Sequence, residues 1–108
     1  MARAQGFARA CAAVPPENAP VEPQRPVRVP VLLLSGADDP QDPPSNLAGW
    51  RTLFPDGRLV VVPGVGHGII RYGCVPLLAA RFVERGTARG LDVSCVRHVP
   101  LPPFDLNG

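Results

Sequence analysis

The chain sets short aliphatic runs among loops rich in proline, glycine and acid. Two runs carry no polar alternation: Val31-Leu32-Leu33-Leu34, inside the stretch Val29–Ser35, and Leu59-Val60-Val61-Val62, after Arg58. A strand buried on both faces reads this way, since either face of the pleat must then be apolar, and such strands belong to parallel sheets covered by helices. Two strands, over about 29–35 and 58–63, are therefore predicted. Pro30 sits at the start of the first, where a missing donor is tolerable, and Gly36 allows a tight exit.

Between them, Pro43-Pro44-Ser45 starts a helix predicted over about 44–54. Leu47, Trp50, Leu53 and Phe54 share one face, so Trp50 reads as core, and Pro55-Asp56-Gly57 ends the segment. Asp42 stands where a helix cap would be, and Ser45 also reads as a cap. Strand, helix and strand with short joints form a βαβ unit with a right-handed crossover. A second helix is predicted over about 74–86, with Val75, Leu78, Ala79, Phe82 and Val83 on one face and Gly86 as its stop. A short segment, Val93–Val96, follows the turn at Gly90-Leu91-Asp92, and the tail from Pro100 is expected to be irregular and packed by Phe104. The fold class is α/β.

Upstream, residues 1–13 are rich in Ala and Arg and read as the end of a helix. Pro15, Pro16, Pro20, Pro23 and Pro26 then forbid helix and starve a sheet of donors. Residues 1–28 are thus an N-terminal segment and linker, and residues 29–108 the domain. At 108 residues the chain is near the lower limit for a self-sufficient core. Net charge is +2 and the eleven basic residues, all Arg, form no stripe, which argues against a nucleic-acid or membrane-surface partner. No apolar run approaches the roughly 18 residues of a membrane span. Met1–Val14 has the outline of a signal peptide, but Arg9 interrupts its apolar region, so no signal peptide is evident.

In open parallel sheets, functional groups gather beyond the carboxyl ends of the strands. Asp39 follows the first strand and His67 the second, and their separation of 28 positions fits one strand–helix–strand return. A carboxylate bonded to one imidazole nitrogen fixes the tautomer and leaves the other nitrogen as a base. Gly64, Gly66 and Gly68 would let the histidine loop take angles other residues resist and swing the imidazole over a pocket; a Gly-rich turn with an exposed histidine fits the same residues. Asp38, Asp39, Asp42 and His67 together offer fewer oxygens than a hard cation needs, so no metal is implied, and no cofactor either. His98 reads as structural.

The segment Pro30-Val31-Leu32-Leu33-Leu34-Ser35-Gly36-Ala37-Asp38-Asp39-Pro40, followed by Pro43-Pro44, resembles the acid-residue segment of α/β-hydrolases, and more narrowly that of the secreted bacterial tripeptidyl- and prolyl-aminopeptidases. Val62-Pro63-Gly64-Val65-Gly66-His67-Gly68 is similar to the histidine loop of that group. Cys74, the run Leu91-Asp92-Val93-Ser94-Cys95-Val96 and Pro102-Pro103-Phe104 match later signatures, so the resemblance covers about residues 27–105. It implies that Asp39, followed by Pro40 as in the group, is the triad acid in preference to Asp38, and that His67 is the general base. It also implies a Cys74–Cys95 disulfide, closing a loop of about 20 residues for roughly 3 kcal/mol, with Cys11 left over, and a secreted or periplasmic setting.

Such a hydrolase needs a G-x-S-x-G elbow ahead of the acid, and the chain has none; Ser35, Ser45 and Ser94 are poor nucleophile candidates. The chain therefore reads as the C-terminal part of a serine aminopeptidase, inactive alone, meeting a peptide or small acyl substrate only with an N-terminal hydrolase part. The alternatives are a non-catalytic interaction module of the same fold, for which an open sheet edge would favour self-association, and part of an esterase.

Overall fold

The computed structural model describes residues 2–15, 24–100 and 103. Strand β1 (Val31–Gly36) pairs in parallel with β2 (Gly57–Val62), Val31 opposite Gly57 through Gly36 opposite Val62. Helix α1 spans Ala2–Ala12, α2 Trp50–Leu53 and α3 Val75–Arg85, with 3-10 turns at Pro44–Leu47, Ile69–Arg71 and Ser94–His98. The strand starts differ slightly from those expected: β1 begins only after Pro30, and β2 includes Gly57.

The register puts Leu32, Leu34, Val60 and Val62 on one face of the sheet, because side chains alternate along a strand. That face packs on α3. Val60, Val62, Val65, Val75, Leu78, Leu91 and Val96 form the buried cluster, with Phe82 and Tyr72 against it. Burying a side chain such as Leu78, which is 1% exposed, contributes about 1.5–3 kcal/mol. Val75 and Leu78 are buried and Phe82 half-buried, a narrower stripe than the sequence suggests: Val83 is 76% exposed, one step around the helix from Phe82 and beyond the cover of the sheet.

The opposite face is less covered. There Val31, Leu33 and Leu59 are half-buried and Val61 is exposed, so the strands are not enclosed on both faces by the described residues. The cause is the connection between the strands. In place of one continuous helix over 44–54, a 3-10 turn and the single turn of α2 are separated at Ala48-Gly49, where Ala48 is extended and Gly49 takes φ +80°. Trp50 is consequently half-buried at the rim instead of in the core, with the Arg51 guanidinium 5.0 Å from its ring centre. Neither Asp42 nor Ser45 caps a helix: the cap position is Pro43, without a side-chain bond, and Ser45 lies inside the 3-10 turn.

Every described side chain from Ala4 to Pro15 is exposed, and residues 24–28 are irregular, tied to α2 by the Val27 amide donating to the Leu53 carbonyl at 2.7 Å. Arg58 donates to the carbonyls of Ala88 and Leu91, holding the segment after α3 against the start of β2. Cys74 and Cys95 are joined by a disulfide that ties the start of α3 to the final 3-10 turn, and Cys11 is free and exposed. Pro16, Pro20 and Pro23 of the linker, and Phe104, expected to pack the tail, lie outside the described residues.

Candidate active site

The two strand ends are knitted together before either functional side chain appears. The Ala37 amide donates to the Val62 carbonyl at 2.9 Å and the Asp38 amide to the Val65 carbonyl at 3.1 Å. The chain then turns at Asp39, whose amide donates to the Gly36 carbonyl at 3.4 Å. Asp39 is buried, and its Oδ1 accepts from the amides of Gln41 at 2.9 Å and Asp42 at 3.1 Å. Those two donors fix the carboxylate so that Oδ2 points at the histidine loop.

On the other strand, Val65 is 1% exposed and anchors the loop in the core two residues before His67. Gly64 and Gly68 take positive φ (70° and 77°), and Gly68 opens the 3-10 turn Ile69–Arg71; Gly66, expected to share this freedom, has ordinary φ. The result is that Nδ1 of His67 lies 2.8 Å from Oδ2 of Asp39. The imidazole is 56% exposed against 8% for the carboxylate, so it leans outward over solvent from a buried base. The clefts around Arg58 lie at the other end of the sheet, beside the amino ends of the strands.

Burial pushes the Asp39 carboxyl up, but the amides of Asp42 and Gln41, with the His67 imidazole, outweigh it and hold the group below its ordinary value. Asp39 is therefore ionised at neutral pH and can only accept. The proton on the shared bond then belongs to Nδ1, and the neutral ring presents its lone pair at Nε2, which makes no hydrogen bond among the described residues. The arrangement is an oriented base with one face open.

A pH dependence follows. A carboxyl whose folded-state pKa is depressed stabilises the fold fully above its unfolded value, about 3.9, and loses that contribution as pH falls through the folded-state value. Thermal melting should decline below about pH 4, and more steeply for the wild type than for Asp39→Asn, which has no charge to lose at that site. Equal slopes would contradict the bonding of the Asp39 carboxylate to the two amides and to His67. Asp92, lowered by bonds to Ser94 and by Arg81 and Arg97, contributes the same background slope to both proteins.

The other candidates disperse. Ser35 is 5% exposed with its hydroxyl unpaired among the described residues, Ser45 and Ser94 sit in exposed turns, and no serine hydroxyl bonds to His67 among the described residues. His98 is exposed at the end of the last turn. Asp38 is exposed, and the Asp42 carboxylate accepts from the side-chain Nδ2 of Asn46 at 3.4 Å. Among the described residues no three His, Cys, Asp or Glu gather as metal ligands. Sequence reasoning overlooked the backbone donors of Gln41 and Asp42; an aspartate followed by proline and a turn is the signal that could have found them.

A family model described as TAP-like protein matches residues 1–95. No curated protein and no solved structure matches the chain.

Proposed function

The chain belongs to the TAP-like family of α/β-hydrolases, and on that premise we propose that Asp39 and His67 are the acid and general base of a serine hydrolase whose nucleophile lies outside these 108 residues. The observation that carries this reading is the 2.8 Å contact between Oδ2 and Nδ1, with Nε2 left open. In the reaction, Nε2 takes the proton of a serine hydroxyl as its oxygen attacks the scissile carbonyl. Asp39 stabilises the resulting imidazolium without accepting its proton. The ring then protonates the leaving amine, and a water deprotonated by the same nitrogen releases the acyl group. The bond cleaved is a peptide bond near a free N-terminus, in line with the aminopeptidase resemblance. The Cys74–Cys95 disulfide supports an oxidising compartment, outside the cytosol.

The isolated chain should not turn over aminoacyl or tripeptidyl nitroanilides above the buffer rate. Added to a TAP-like hydrolase from which the matching acid-and-histidine segment has been deleted, it should restore turnover. Turnover by the isolated chain that His67→Ala abolishes would place a nucleophile within it and overturn the division of labour; failure to restore turnover would overturn the acid–base assignment.

A further inference from the structure

We propose that Gly36 is a positioning residue for His67: the absence of a side chain at the end of β1 leaves the space in which the histidine loop is seated. The proposal rests on the acid–base reading of Asp39 and His67, and adds how their contact is held.

Gly36 is buried and does not take positive φ, so its backbone geometry is open to alanine and the demand for glycine is one of space. A Cβ at position 36 would overlap the carbonyl oxygens of Val65 and Gly66 and lie 2.9 Å from the Val65 carbonyl carbon. Carbon and other heavy atoms rest about 3.5–4.0 Å apart, and all three obstacles are main chain, which cannot step aside by changing rotamer. Something must shift, and the surroundings determine what. Val65 is 1% exposed in close-packed core and has no room to retreat inward. Asp39 is held by the amides of Gln41 and Asp42. The loop is therefore the part that yields, outward, and Gly66 is bonded directly to His67. Two contacts are broken by that movement: the Asp38 amide to the Val65 carbonyl, and Nδ1 of His67 to Oδ2 of Asp39.

The test uses long-range proton–nitrogen correlation spectra of the ¹⁵N-labelled chain, which read the His67 tautomer directly. The wild type should show the proton on Nδ1. Gly36→Ala should show a mixture with Nε2–H. Gly49→Ala is the control: it is strained at φ +80° with nothing within 4 Å of its Cβ, and should lose stability while keeping the wild-type tautomer. In the complemented hydrolase, Gly36→Ala should lower kcat by about 10²-fold with KM little changed, the scale of a misplacement near 1 Å. Should Gly36→Ala not fold, the wild type decides alone: on warming, the Nδ1–H signal and the exchange protection of the Asp38 amide should vanish together. A Gly36→Ala protein with the wild-type tautomer, or an Nδ1–H signal that outlasts the Asp38 amide, would overturn the proposal. A tautomer shift in Gly36→Ala alongside full activity of His67→Ala would leave the positioning role intact and remove the acid–base reading instead.

Discussion

In the complemented hydrolase, Asp39→Asn is expected to lower kcat by about 10⁴-fold while KM stays near the wild-type value. The substitution keeps the shape of the side chain. Its carbonyl oxygen can still accept from the amides of Gln41 and Asp42, so the turn after β1 survives. What changes is the group presented to His67. An amide nitrogen donates where the carboxylate accepted, and Nδ1 must then be the lone-pair nitrogen. The proton moves to Nε2, the atom that has to receive one from the nucleophile. The base is therefore absent although no atom has moved far, and the imidazolium loses its counter-charge as well. His67→Ala should fall to a similar residual rate, and combining the two should add little, because both remove one function. An Asp39→Asn enzyme within tenfold of wild type would show that the 2.8 Å contact has no part in the chemistry.

The second large effect concerns stability. Replacing Cys74 and Cys95 together by serine should cost about 3 kcal/mol, the chain-entropy value for the 21-residue separation that the bridge closes. That is a large part of the roughly 5–15 kcal/mol typical of a whole domain. The figure matters more in this chain than in a larger protein, because among the described residues only one face of a two-stranded sheet carries the buried cluster. The bridge fastens the start of α3, seven residues after His67, to the turn that delivers Val96 into the core. Denaturant titration of the double variant, and of the wild type with and without reductant, should give the same shift in midpoint. A loss below about 1 kcal/mol would mean that the oxidised unfolded chain is scarcely more constrained than the reduced one.

Both strands and α3 were legible from sequence as four aliphatics in a row, twice, and a helical stripe at Val75, Leu78 and Phe82, although the burial on both faces that such runs suggest is met on only one face of the sheet among the described residues. The approach of His67 to Asp39 was legible as a spacing, since parallel strands joined by a short crossover bring their carboxyl ends side by side. The helix over 44–54 was misjudged at Gly49. Propensity counts a glycine as a modest cost, whereas the extended Ala48 and left-handed Gly49 redirect the chain and split the segment in two. Trp50 followed that error out of the core. Asp42 was misplaced as a cap because Asp39 already binds the amide at 42, which turns the chain before any helix begins. Gly36 read as a tight exit; that it faces the Val65 and Gly66 carbonyls is a property of the register, invisible until the strands are laid side by side.

The displaced Trp50 also governs how this protein can be watched. It is the chain's one tryptophan, and it sits at the periphery beneath a cation and beside solvent, remote in function from the cluster around Leu78. Its emission is a lamp on the porch: it brightens or dims as the loop between the strands loosens, while the ellipticity of α3 reports the packed interior. Coincidence of the two signals marks unfolding of the whole, and an early fluorescence change alone marks fraying at the rim.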